Sequence, residues 1–151
     1  DSDDAASPDP DQPLDPPRKV GPENWSSVRS ERRQTEICRF RQEAWVTELK
    51  EGFRVRILAD GTDEVPLAVE INLREGGKLE GCEPAPNVPD GWVLPSGYAL
   101  YRAGGQAIRF GPGAAPHRWT QIRGGHPKLP GPSVYLTGYT QFDHTVTFTW
   151  A

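Results

Sequence analysis

The chain has 151 residues, room for one domain with a sizeable core, and a formal net charge of −4. It has no apolar run long enough to cross a bilayer as a helix, and its two cysteines are too few for a zinc cluster. Charge is uneven: residues 1–24 hold seven acids (Asp1, Asp3, Asp4, Asp9, Asp11, Asp15 and Glu23) against Arg18 and Lys19, a balance of −5 that leaves about +1 on residues 25–151. A near-neutral fold lacks the basic excess that nucleic-acid binding requires.

Residues 1–24 also carry six prolines, and their large aliphatics are Leu14 and Val20. Such a segment buries too little apolar surface to offset its ordering entropy, and it reads as a disordered acidic tail or linker before a fold over 25–151. The absence of an initiator Met and of a signal-peptide pattern reads as a processed chain or a piece of a longer one. Residues 25–36 are polar and arginine-rich, a short helical turn or a loop. The local cluster Arg29, Arg32, Arg33, Arg39 and Arg41 is a solvated face or a partner surface.

From Ile37 to Leu49 a strand is predicted, although 41–49 also fits a helix. Phe53, Val55 and Ile57 alternate with Arg54 and Arg56, which predicts a strand with one wet side. Asp60-Gly61 supplies a turn. Pro66 interrupts entry to a strand in which Leu67, Val69, Ile71 and Leu73 share a face. Residues 83–97 are rich in proline and glycine and read as a loop plugged by Trp92. Strands follow at 98–102 and 106–111, joined through Gly104-Gly105 as a hairpin. A short strand is predicted at 119–123 and a second Pro/Gly loop at 124–132. Residues 133–150 alternate aromatic and β-branched with polar residues, as strand, turn, strand. Seven to nine short one-sided strands and no long helix predict an all-β fold: an antiparallel two-sheet β-sandwich, jelly-roll-like, with a barrel as the competitor.

No compact catalytic motif is present. His117, His126 and His144 are too far apart for a local metal motif, and no metal or cofactor is expected. Neither the glycine-flanked serine of a nucleophile elbow nor the lysine of a phosphate loop occurs. Cys38 and Cys82 are candidates for a disulfide, or else two small buried hydrophobes. The best candidates for ligand contact lie between the Pro/Gly turns at 113–128: His117, Arg118, Trp119, Gln121, Arg123 and His126. A Trp beside Arg and Gln suits stacking on a sugar ring and bonding its hydroxyls or carboxylate. The leading expectation is a non-catalytic module, structural or carbohydrate-associated, with a polysaccharide or a partner domain as its partner. The alternatives are a polysaccharide lyase using His117 or His126 with Tyr98, Tyr101, Tyr135 or Tyr139, a glycoside hydrolase using a carboxylate pair from Glu70, Glu83, Asp90 and Asp143, and a protein-interaction domain.

The segments Val65–Ile71, Gly77–Pro84, Phe110–Gly113, His117–Gln121 and Leu136–Thr140, in this order, resemble the β-rich C-terminal domain of bacterial heparinase II/III-like proteins. The resemblance spans at most residues 37–150 and brings no catalytic residue with it. It implies an accessory domain of a larger secreted or periplasmic protein that handles acidic polysaccharides.

Overall fold

A computed structural model describes residues 22–24, 26–27, 38–118, 122 and 127–151. The chain divides into two units, Asp1–Cys38 and Arg39–Ala151. In the first, residues 22–24 form a turn, and Ser27 Oγ donates to Asn24 O at 2.9 Å.

The second unit holds the strands: β1 Phe40–Leu49, β2 Gly52–Gly61, β3 Pro66–Asn72, β4 Lys78–Glu80, β5 Glu83–Pro84, β6 Gly91–Val93, β7 Ala99–Ala103, β8 Gln106–Gly111, β9 Ser133–Tyr139 and β10 Phe142–Trp150. One sheet runs β1-β2-β10-β8-β7-β4 and the other β3-β9-β6-β5. Neither closes into a barrel, because each ends in two different edge strands. Neighbours are antiparallel apart from β6, which runs parallel to β9. This is the all-β sandwich that the two-residue period predicts.

The period works by sorting side chains. Register sets Val146 opposite Val55, and Val55 opposite Val46, on one face of the larger sheet. Phe148 lies opposite both Phe53 and Phe110 on that same face. Its ring stacks on each, with centroids 4.7 and 5.7 Å away. The core between the sheets gathers Leu94, Ala99, Tyr101, Phe110, Val134, Leu136 and Val146, with Val69, Ile71, Leu79 and Phe148 packed at its margin. Tyr101 brings a hydroxyl inside and satisfies it by donating to Arg74 O and accepting from Gly77 N–H.

The two cysteines are free thiols, Cys38 exposed and Cys82 half-buried against the core. Burial pushes the Cys82 thiol up to about 11. At pH 8 only about a thousandth of Cys82 is then thiolate, the reactive form. A maleimide pulse at pH 8 read by mass spectrometry is expected to label Cys38 first and leave Cys82 largely untouched. Equal labelling of the two would contradict this placement.

Candidate functional site

The two sheets differ in what covers them. In β9, Val134 and Leu136 enter the core between the sheets, while Tyr135 turns the other way and packs with Ala85 and Val93 beneath Ala115 and Ile122. The chain after β8 therefore lies over the smaller sheet. Thr137 fastens it: its N–H donates to Ala114 O at 2.8 Å and its hydroxyl to His117 O at 2.7 Å. The outer face of the larger sheet carries no such cover among the described residues, and around β1, β2 and β10 it presents arginines and threonines beside the exposed Trp45.

That covering segment is where ligand contacts were expected. His117 is buried, with Nε2 at 3.1 Å from Leu67 O and 3.0 Å from Gly138 O. A nitrogen between two carbonyl acceptors carries the proton and donates, so the ring ties the covering segment to β3 and β9. Its edge meets the Tyr139 ring at 4.9 Å. This is the one His–Tyr pair seen among the described residues, and its Nε2 is already committed to the backbone. Arg118 points outward and pairs with Glu83. The structure thus gives His117 and Arg118 opposite surroundings. Trp119, Gln121, Arg123 and His126 lie outside the described residues. His144 donates from Nε2 to Pro112 O at 2.8 Å, which also holds the crossover.

On the open face of the larger sheet, three neighbouring strands repeat one pattern. Trp45-Val46-Thr47 in β1, Arg54-Val55-Arg56 in β2 and Thr145-Val146-Thr147 in β10 place the valine inward and its neighbours outward. The register aligns Trp45, Arg56 and Thr145 in one row and Thr47, Arg54 and Thr147 in the next. Trp45, Thr47, Arg54, Arg56 and Thr145 line a recess of about 300 Å³, within the range of small-ligand sites.

The electrostatics of the recess are uneven. Arg56 bonds Asp143 through both ends, Nε to Oδ1 at 2.9 Å and Nη2 to Oδ2 at 2.7 Å. This hydrogen-bonded guanidinium holds the Asp143 carboxyl below its usual range, so the carboxylate stays ionised at neutral pH and is an acceptor rather than a proton donor. Arg56 also lies 5.5 Å from the centroid of the Trp45 ring, a cation–π distance that fixes both groups. Arg54 makes no ion pair among the described residues. A second guanidinium–aromatic pair stands farther along this sheet, with Arg109 at 3.9 Å from the Tyr98 ring centroid. Among the described residues no group of three or more His, Cys, Asp or Glu side chains gathers as a metal site would need.

The chemistry on offer is that of binding. An exposed indole face accepts a ring with axial C–H groups, hydroxyls of Thr47 and Thr145 both donate and accept, and the Arg54 guanidinium donates, while the Arg56 fork is already engaged by Asp143. Sequence alternation identified Arg54 and Arg56 as the wet side of a strand but did not join them to Trp45. Comparisons with protein-family models, with characterised proteins and with solved structures return no match.

Proposed function

We infer that this chain is a non-catalytic β-sandwich module that binds a carbohydrate on the open face of its larger sheet. The observation that carries this reading is the exposed Trp45 ring sharing a recess with an Arg54 guanidinium that has no acidic partner among the described residues. Trp45 supplies the stacking plane, Thr47 and Thr145 meet hydroxyls, and Arg54 meets a carboxylate or sulfate. Arg56 is neutralised by Asp143 and serves to orient the indole. The ligand class that fits is an acidic glycan, in keeping with the resemblance to the C-terminal domains of heparinase II/III-like proteins. On that resemblance the module is an accessory part of a larger exported protein.

Calorimetric titration with uronate-containing and neutral oligosaccharides tests the reading. Trp45→Ala is expected to weaken binding of both roughly tenfold, the scale of one aromatic stacking contact with its buried area. Arg54→Gln is expected to cost roughly tenfold or more for the acidic ligand, as loss of a charge-assisted hydrogen bond does, and little for the neutral one. Binding of the acidic ligand should also weaken as salt rises. Unchanged affinity in both variants, each still folded, would remove the site.

A further inference from the structure

We propose that β1 is a self-association edge, through which two copies of this chain pair antiparallel into one continuous sheet. The four sheet edges are treated differently. β4 has three residues, β5 has two and includes Pro84, and β3 opens on Pro66. Short strands and proline are the usual means of closing an edge to further pairing. β1 has ten residues and no proline, and its register with β2 runs unbroken from Phe40 to Leu49 without a bulge.

Among the described residues no strand pairs with the outer side of β1, and that side is ready to accept one. Arg39 O accepts from Thr62 N–H and Arg39 N–H donates to Thr62 Oγ1, so the backbone of Arg39 points toward β2. Alternation then turns the N–H and C=O groups of Phe40, Gln42, Ala44, Val46 and Glu48 to the open edge. The middle of the strand is apolar on both faces and exposed: Val46 is 71% and Trp45 45% accessible, with Phe40 at 51% near one end. Val46 lies on the inner face, beside Val55, at the end of the sheet beyond the main core.

One register suits a second copy. With the two-fold axis at Trp45, each Ala44 lies opposite the second copy's Val46, and both residues present their backbone to the new ladder. Gln42 then meets the second copy's Glu48, and Arg39 comes level with its Glu51. No two like charges stand directly opposite in this arrangement, and both strand ends gain an opposite-charge neighbour. The two Trp45 residues form the close, non-hydrogen-bonded pair on the outer face, setting the two recesses side by side.

Sedimentation equilibrium of the full chain across the micromolar range tests this without any glycan. The expected species has twice the chain mass of 16.7 kDa. Ala44→Pro removes an N–H that faces away from β2, so the fold should persist by circular dichroism while the dimer is lost; Val46→Lys should do the same. In a Cys38→Ser background, Trp45→Cys should crosslink across the axis under mild oxidation and Thr47→Cys, opposite the second copy's Glu43, should not. A wild-type monomer throughout would overturn the proposal and leave β1 to another occupant, such as the segment 1–37. So would an Ala44→Pro dimer as tight as wild type, or crosslinking by Thr47→Cys instead of Trp45→Cys.

Discussion

Phe110→Ala is expected to destabilise the β unit by about 3–5 kcal/mol, the cost of deleting a buried ring whose cavity cannot collapse. Phe110 is fully buried and sits at the centre of the core. Its ring stacks on Phe148, which stacks in turn on Phe53. The row ties β8, β10 and β2 together on the inner face of the larger sheet, so the void would open where three strands share contacts. A thermal melt should fall by roughly 10 °C or more on the usual scaling for a domain of this size. Trp150→Ala removes a larger side chain from a site that is 65% exposed and should shift the melt far less. A small shift for Phe110→Ala, or a larger one for Trp150→Ala, would contradict the assigned layers.

Gly52→Ala is expected to rival that loss from a surface-proximal hairpin. Gly52 closes the β1–β2 hairpin opposite Leu49 and has φ +152. A Cβ there would lie 1.8 Å from the Phe148 carbonyl oxygen. The obstacle is backbone of the neighbouring β10, which cannot swing aside as a side chain would. Relief requires parting β2 from β10 at the Gly52–Thr149 end of their ladder, at a cost of about 3 kcal/mol on the scale of overpacked sites. Gly76→Ala provides the contrast. It also has positive φ, +83, but a Cβ there meets nothing within 4 Å, leaving only the backbone term of about 1 kcal/mol. Denaturant unfolding separates them, and equal midpoints for the two variants would count against the hairpin geometry.

The sequence made the long strands legible because each carries several turns of one alternation. Phe53, Val55 and Ile57 against Arg54 and Arg56 sufficed for β2, and the aromatic and β-branched run after Ser133 for β9 and β10. Gly104-Gly105 marked the β7–β8 hairpin for a stereochemical reason, since both residues have positive φ. The competing helix over 41–49 gives way to β1 because a helix would set aside the continuous pairing with β2. β4, β5 and β6 were not legible. They have three, two and three residues, too few to display a period, and β5 and β6 lie in a stretch whose prolines and glycines signal a loop. β6 is held by tertiary pairing, parallel to β9, and Trp92 packs from it against the core.

The candidate site was half legible for a related reason. Alternation within a strand says which residues share a face, and Arg54 with Arg56 followed from it. Which strands are neighbours depends on the path of the whole chain. β1, β2 and β10 meet although β10 lies some eighty residues further on, so the row Trp45, Arg56 and Thr145 had no local signature. The cluster His117-Arg118 looked like a site because polar and planar groups crowd between turns. Its imidazole instead spans two backbone carbonyls. The need of a crossing segment for hydrogen-bond partners can therefore produce the same composition as a binding strip.

The most direct measurement is a ¹⁵N-resolved NMR titration of the chain with a uronate oligosaccharide. Shifts concentrated at the Trp45 indole N–H, the Arg54 side chain and the amides of Thr47 and Thr145 are the predicted outcome. Shifts confined to residues 113–128, with those four positions still, would contradict the reading.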